Sequence, residues 1–502
     1  MNTAVITLVL KPNKDPTHPS SYRPLSLMNT DLKIITKTLA SRIETVIPSL
    51  IHPDQTGFIK NRHASDNIRR LFNFISIVQK QQQKTIILSL DAEKAFDKVN
   101  WSFLFTTLRK FGFGESLIHW IRTLYTSPKA TIATNGITSP SFTLHQGTRQ
   151  GCPLSPSLFA IFIEPLAAAI RQNSKIKGIQ VANIQHKISL YTDYLLLYIQ
   201  NPQESVQETF NIVNRFSHVS HYTINWNKSI LLPLSDDAWD SGAQDTSLHF
   251  HTGNIKYLGI HISPRLSELF TLNYTHLLRK IEDDYKRWSK HPLTLIGRIA
   301  AVKMKTLPQI NYLFSMIPTT PIDNWFKTLN SLTTQFYWKY KNPRISLSTL
   351  QNKKSHGGLE APNFHHYFLA NQLQYLVKWI NIQKHNYPWL ELEQNQCTNI
   401  SIADLPFLSQ SRKKSNFCQR ITINSTLTAW WKTNQITKSS LALNKYTPLW
   451  HNPMLTLQNK PFHFSTWAQK GITHLCHLFE NNQFMSFNTL TQKYGIGREQ
   501  FL

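Results

Sequence analysis

Between residues 31 and 50 the apolar positions Leu32, Ile35, Leu39, Ile43, Val46 and Leu50 recur at steps of three and four. That spacing predicts a helix with one buried face. Ile68, Leu71, Phe72, Ile75 and Val78 repeat it and run into the polar QKQQQK. The texture then changes. TIILSLD is a continuous apolar run closing on Asp91, the signature of a strand covered on both faces. Two helical stretches follow, at about 101–111 and 115–125. KATIATNGITSPSFTL reads as a β-hairpin whose Asn135-Gly136 supplies the left-handed backbone of a tight turn. HQGTRQGCPLSPSLFAIFIEPLAAAI is a glycine-rich loop feeding an apolar helix, and KISLYTDYLLLYI is strand, turn, strand. A helix near 204–219 leads to KSILLPL and IKYLGIHIS, both strand-like. After Pro264 the pattern is helical and rich in tryptophan. Breaks are expected near Pro264 and around 384–388, and no internal repeat is present. The pattern predicts an α+β unit followed by a largely helical half.

Composition narrows the partners. A chain of 502 residues exceeds one ordinary domain, and 41% hydrophobic with 12% aromatic residues excludes a disordered chain. Lys and Arg outnumber Asp and Glu by 54 to 28, a net charge of +26 that favours a polyanion, nucleic acid first. A membrane surface is the weaker alternative, because no basic amphipathic helix dominates. Cys152, Cys397, Cys418 and Cys476 form no C-x-x-C pair, which argues against a zinc ribbon or disulfide framework and for a reducing, intracellular setting. His474, Cys476 and His477 in THLCHLFE read as one face of an amphipathic helix before they read as a metal site. The opening MNTAVITLVL reads as a strand and not a signal peptide. No run approaches the ~20 apolar residues of a membrane span.

Two carboxylates stand out against this background. Asp91 ends an apolar strand and Asp193 sits at the tip of an apolar hairpin. Either alone would be a turn cap. Brought together on neighbouring strands, they would hold divalent metal for phosphoryl transfer. The glycine-rich loop between them favours the second reading, since Gly147 and Gly151 permit close backbone approach to a ligand. Arg149 and Gln150 beside them are suited to a phosphate or a base.

Taken together, these motifs resemble the reverse transcriptase region of LINE-type non-LTR retrotransposons. LVLKPNKDP, SYRPLSLMNTDLKIITKTLASRI and HPDQTGFI resemble its fingers; SLDAEKAFDKV and GTRQGCPLSPSLF resemble its first two palm motifs. YTDY occupies the catalytic hairpin, INWNKS resembles the lysine-bearing motif, and IKYLGIHI the primer grip. WSKHPLTLIGRIAAVKMKTLPQINYLF and the segment from Phe336 to Phe364 resemble the thumb and the region beyond it. The resemblance implies a right-hand polymerase: fingers and palm over 1–263, a thumb-like helical region over 264–380, and an incomplete, mostly helical C-terminal region over 381–502. It implies RNA template, DNA primer and dNTPs as partners, and two Mg²⁺ ions, or Mn²⁺, as cofactor.

Residue by residue, the resemblance makes Asp91 and Asp193 the metal ligands, with the Ala92 carbonyl assisting. It makes Phe96 the ring that crowds a ribose 2′-OH, and sets Arg149, Gln150 and Gly151 around the nucleotide. Lys11 and Arg23 would meet the triphosphate, Lys228 would protonate the departing pyrophosphate, and Tyr257, Leu258 and Gly259 would hold the primer end. Plainer readings exist for several: a core aromatic for Phe96, a solvated basic loop for Lys11 and Arg23, a sheet strand for Tyr257–Gly259. Trp338 is the tryptophan best surrounded by basic residues for stacking on a base. The chain departs from the family pattern at three places. The hairpin normally carries two consecutive aspartates, and here Tyr194 replaces the second; Thr192 stands for a small Ala and His221 for a Gly. Impaired polymerisation is therefore the expectation, with a non-catalytic nucleic-acid-binding remnant as the alternative. A maturase-like role in RNA folding ranks lower, because the motifs are LINE-type. The family usually carries an endonuclease domain before the fingers and a cysteine-rich knuckle at the end, and neither is expected within these residues.

Overall fold

A computed structural model describes the chain except residues 1–2, 13, 236–248, 251–252, 382–386, 398–399, 409–419, 438–442, 444, 482 and 498–502. Cys418 and most of the break expected at 384–388 lie outside the described residues. The chain divides into two compact units, Met1–Pro264 and Arg265–Leu502.

The first unit is α+β. Strands β1 (Thr3–Leu10) and β2 (Tyr22–Leu27) pair antiparallel, and β1 pairs parallel with β4 (Lys129–Thr134). The Asn135-Gly136 turn carries β4 into β5 (Ile137–Thr138), and β6 (Phe142–Thr143) pairs with the start of β4 along the same edge, opposite β1. Helices α1 (Thr30–Leu50) and α2 (Ala64–Gln81) fall where the three-and-four spacing predicts them.

The sheet that carries the site has the order β12–β11–β3–β10–β9. It comprises β3 (Thr85–Leu90), β9 (Ile188–Tyr191), β10 (Tyr194–Gln200), β11 (Ile230–Pro233) and β12 (His249–Phe250); the small hairpin β7 (Ile179–Val181) and β8 (Ile184–His186) precedes β9. Strand β3 is central and antiparallel to both β10 and β11. Alternation along the strands sorts the core. Ile86, Leu88, Leu90, Leu195, Leu197 and Ile199 join the cluster built with α1, α3 (Trp101–Lys110), α5 (Ser155–Gln172) and α6 (Pro202–Ser220). Tyr198 points to the opposite face, where its ring meets Phe74 of α2 at 4.4 Å. This two-sided burial explains why β3 reads as an unbroken apolar run.

The α2 face also holds a buried charge cluster. Arg70 donates to Asp54 Oδ1 (2.7 Å), to the Ile188 carbonyl (3.0 Å) and to Ser189 Oγ (3.1 Å). Its guanidinium lies 3.0 Å from a ring nitrogen of His186, whose pKa burial pushes down to about 3, so that imidazole stays neutral. Arg171 pairs with Glu164 and, at 3.5 Å, with Asp54. The cluster ties α2 and α5 to the edge strand β9.

Two local expectations need correction. IKYLGIHIS is not one strand: β13 (Ile255–Tyr257) and β14 (Ile260–Ile262) form a hairpin turning on Leu258 and Gly259, both with positive φ (47° and 76°). THLCHLFE is not a helix face; it is a 3₁₀ turn at Leu475–Leu478, with His474 Nε2 held 3.1 Å from Asp404 Oδ1. The region beyond 381 carries helices Pro388–Asn395 and Ile421–Thr437, but also two short hairpins, Thr456–Leu457 with Lys460–Pro461 and Phe479–Glu480 with Gln483–Phe484. Upstream of it the second unit is helical, with long helices at His276–Trp288, Asp323–Tyr337 and Phe364–Ile380. Among the described residues no helix is long and apolar enough to cross a membrane.

His221 caps α6 in the left-handed region (φ 63°), the conformation that explains why the family pattern has glycine there. A side chain costs about 1–2 kcal/mol in that region. His221→Gly should raise stability by about 1 kcal/mol in urea titration; an unchanged or lower midpoint would mean that the ring's contacts to Asn100 and Gln146 outweigh the strain.

Candidate active site

Register brings the two aspartates together. Leu195 of β10 faces Leu90 of β3, so the next residues outward along these strands are Tyr194 and Asp91. Tyr191 pairs with Tyr194 across the β9–β10 turn, which leaves Thr192 and Asp193 as its two tip residues. Asp91 is 8% exposed, and Lys228 Nζ lies 3.3 Å from its Oδ2. The lysine-bearing turn is fastened to the end of β3: the Asn225 N–H donates to the Asp91 carbonyl (2.7 Å), and Ser229 Oγ accepts weakly from the Asp91 N–H (3.4 Å).

The charges at the site oppose one another. Burial pushes the Asp193 carboxyl up to about 6, the negative charge of Asp91 adds to the rise, and Lys228 works against it. Tyr194 hydrogen-bonds Asp91. Its phenol is pushed above the ordinary value by burial and by both aspartates, with Arg23 of β2 opposing, so it is a neutral neighbour. Two close carboxylates with oxygen donors around them, one reluctant to ionise beside the other, suit a hard divalent cation. The Ala92 carbonyl takes no hydrogen bond from the Ile224 segment. Ala92 faces Ile224 in a bridge whose hydrogen bonds run through the flanking residues, so its own carbonyl points away from that strand. Among the described residues no group of three or more His, Cys, Asp or Glu converges, so no carboxylate replaces the one that Tyr194 lacks. Glu93 is engaged elsewhere, by Lys98 and Thr223.

The other predicted residues are placed unevenly. Phe96 stacks on Phe159 (4.7 Å) and meets the edge of Phe58 (6.3 Å), at once a core contact and a wall. Gly151 has φ 110°, and a Cβ there would come within 2.8 Å of the Ser26 carbonyl. This close approach lets the Ser26 N–H bond the Gln150 carbonyl (2.8 Å), joining β2 to the loop. Gln150 Nε2 donates weakly to Asp97 (3.4 Å). Arg149 is half-buried beside Tyr125 and Cys152. Arg23 reaches the hairpin electrostatically, whereas Lys11 bonds the Ser20 carbonyl of its own loop (2.8 Å). Tyr257 is buried against Asn67, so only the Leu258–Gly259 turn of that motif is positioned to meet a ligand. Trp338 is half-buried with its indole nitrogen enclosed, and the exposed aromatic beside it is Tyr340.

Pattern reasoning missed two residues. Buried Tyr222 donates to the Asp193 carbonyl (3.4 Å), and buried Gln55 reaches the hairpin from the loop between α1 and α2. Periodicity carries no signal for either contact, because both are long-range.

Residues 9–262 match the family described as Reverse transcriptase (RNA-dependent DNA polymerase). The chain belongs to the reverse transcriptase family. Its relatives are of the non-LTR retrotransposon type. It is 27% identical over 325 residues to the Transposon TX1 uncharacterized 149 kDa protein of Xenopus laevis, covering 63% of this chain and 24% of that one. It is 23% identical to the RNA-directed DNA polymerase from mobile element jockey of Drosophila funebris, covering 62% and 34%. A solved apo telomerase from Candida Tropicalis is similar at 12% identity and a TM-score of 0.38, over 78% of this chain and 68% of that one. The chain thus spans about a quarter to a third of the length of these two curated relatives. Reverse transcriptases in general use divalent metal, and the donor set at Asp91 and Asp193 fits one.

The raised Asp193 value has a stability consequence. Between the ordinary carboxyl value of 3.8 and about 6, the unfolded chain has released this proton while the folded chain keeps it. Stability therefore falls as pH rises through that window, by on the order of 2 kcal/mol from this group. Without divalent metal, Asp193→Asn should be more stable than the parent at pH 7 and equal to it near pH 3.5. Equal stability at both pH values would contradict the assignment.

Proposed function

We propose that the chain is the reverse transcriptase domain of a LINE-type non-LTR retrotransposon, built for RNA-directed DNA synthesis by nucleotidyl transfer and impaired at that reaction by Tyr194. The reading rests on one observation above all: within the matched region, buried Asp91 and half-buried Asp193 lie at one end of adjacent strands, and the charge of Asp91 helps to raise the Asp193 carboxyl. Residues 1–263 serve as fingers and palm, 264–380 as thumb, and 381–502 as a C-terminal extension.

Two Mg²⁺ ions, or Mn²⁺, when bound, would stabilise charge on the attacking and departing oxygens. Asp91 and Asp193 would hold them, with the Ala92 carbonyl assisting. Lys228, now paired with Asp91, is long and exposed enough to turn to the leaving pyrophosphate and give it a proton. Arg23, with Lys11 behind it, neutralises the incoming dNTP's triphosphate. Phe96 closes the space a 2′-hydroxyl would need, Gln150 and Gly151 shape the floor with Arg149 bracing the loop, and the turn after Tyr257, at Leu258 and Gly259, supports the primer end. RNA template and DNA primer are held by the +26 charge spread over the surface, so binding does not depend on the hairpin. The missing carboxylate favours a second reading, in which the fold binds template and primer without extending them.

The experiment is primer extension by the purified full chain. The natural protein should bind template–primer yet extend it poorly. Tyr194→Asp returns a negative charge beside the metal ligands and should raise extension by about 10²–10³, the usual worth of one well-placed electrostatic group. Asp193→Asn added to that variant should abolish extension and leave binding intact. Strong extension by the unmodified chain would show that Asp91 and Asp193 suffice; no extension after repair, with binding retained, would favour the non-catalytic reading.

In the repaired chain, Phe96→Val should raise incorporation of rNTPs relative to dNTPs at least tenfold, because the smaller side chain leaves room for the hydroxyl. An unchanged sugar preference would return Phe96 to a purely core role beside Phe159.

A further inference from the structure

The hairpin that carries Asp193 is held from outside its own sheet. Gln55, fully buried, lies on the loop between α1 and α2. Its side-chain oxygen accepts from the Gly57 N–H (2.8 Å) and from the Thr192 N–H (3.0 Å), while its nitrogen donates to the Thr192 carbonyl (3.2 Å). One amide group thus grips both peptide groups of the residue immediately before Asp193. Thr192 needs the grip. It has φ 59°, a conformation a β-branched residue adopts only under constraint from its surroundings.

The backbone around Gln55 adds to the hold. The Thr56 N–H donates to the Leu190 carbonyl (3.0 Å) and the Leu190 N–H to the Asp54 carbonyl (2.9 Å), which lays the loop alongside β9 as a short parallel bridge. Asn67 of α2 donates to the same Leu190 carbonyl (2.7 Å). Gly57 has no side chain for a steric reason: a Cβ there would lie 2.3 Å from the Thr192 nitrogen. The next residue, Phe58, meets Phe96. One segment, Gln55–Phe58, therefore touches both the catalytic turn and the wall of the nucleotide pocket.

We propose that Gln55 is a positioning residue for Asp193: by holding both peptide groups of Thr192 it fixes a strained turn so that the carboxylate converges with Asp91. Gln55 reaches neither metal nor substrate, and it acts through the Thr192 backbone alone. Only a carboxamide offers an acceptor and a donor side by side at the end of one side chain without introducing charge. The claim rests on the metal-binding reading of Asp91 and Asp193 above.

The test uses the full chain carrying Tyr194→Asp as parent and compares Gln55→Ala, Gln55→Met and, as control, Leu166→Ala in the core of α5. Gln55→Met keeps the buried volume and removes the hydrogen bonds, so loss of folding cannot mimic the effect. Hydrogen exchange should speed up at least tenfold in peptides spanning 188–195 of both Gln55 variants, with other β3 and β10 peptides unchanged. Mn²⁺ affinity, read by electron paramagnetic resonance, should fall at least tenfold while template–primer affinity stays within twofold. Extension should lose kcat with little change in the KM for dNTP. The control should keep hairpin protection and Mn²⁺ affinity even where it loses as much overall stability. Parent-like exchange in Gln55→Met, parent-like Mn²⁺ affinity despite faster exchange, or an equal loss in the control would each overturn the proposal. A parent that binds no Mn²⁺ would instead count against the proposed activity, and hairpin exchange would then decide the Gln55 claim by itself.

Discussion

The site depends on the register of β10 against β3. Leu195 opposite Leu90 leaves the turn bearing Asp193 at the same end of the sheet as Asp91. A slip of one residue would turn every side chain of β10 to the other face, exchanging Leu195, Leu197 and Ile199 for Leu196 and Tyr198. The buried surfaces forbid it. One face is filled by aliphatic and aromatic residues of α1, α3, α5 and α6, and the other by α2, where Tyr198 meets Phe74 and Ser189 and where Arg70 and Asp54 are enclosed. Packing remote from the chemistry thus sets the separation of two carboxylates.

That placement works against the electrostatics of the folded chain. Acidic residues are outnumbered almost two to one, yet buried Asp91 and half-buried Asp193 share one sheet end, where Lys228 pairs with Asp91. Asp193 answers by holding its proton to higher pH. A divalent cation would reverse the situation by rewarding both negative charges at once. Tyr194 adds no carboxylate to this arrangement and takes an ordinary strand position, opposite Tyr191 across the hairpin with its side chain partly exposed. On the proposed reading, nucleic-acid binding would draw on the +26 net charge as a whole, and catalysis on a few atoms. The first can survive where the second is lost.

Much of the fold was legible in the residues. The two-sided apolar run at 85–90, the helical spacing over 30–50 and 64–81, and the Asn-Gly turn at 135–136 each follow from local pattern. Asp91 and Asp193 also stood out, because a carboxylate set in apolar sequence needs a reason, and they lie at one end of the same sheet. What pattern could not supply was partnership. IKYLGIHIS alternates like one strand, and only the positive φ at Leu258 and Gly259 reveals the hairpin. Tyr257 gave no sign of being buried on Asn67, nor Lys11 of bonding its own loop. Gln55 is a lone amide among turn residues, and its role appears only once Thr192, 137 residues away, lies against it.

The central claim is that Asp91 and Asp193 together form a divalent metal site. Anomalous diffraction from crystals grown with Mn²⁺, template–primer and a dNTP tests it directly, ideally on the natural and the Tyr194→Asp chains side by side. The account predicts manganese bonded to carboxylate oxygens of both aspartates at about 2.0–2.3 Å, distances typical of hard-cation carboxylate ligation, with higher occupancy in the Asp variant. Manganese bound elsewhere, or Lys228 still paired with Asp91 and no manganese between the two carboxylates in either chain, would contradict it.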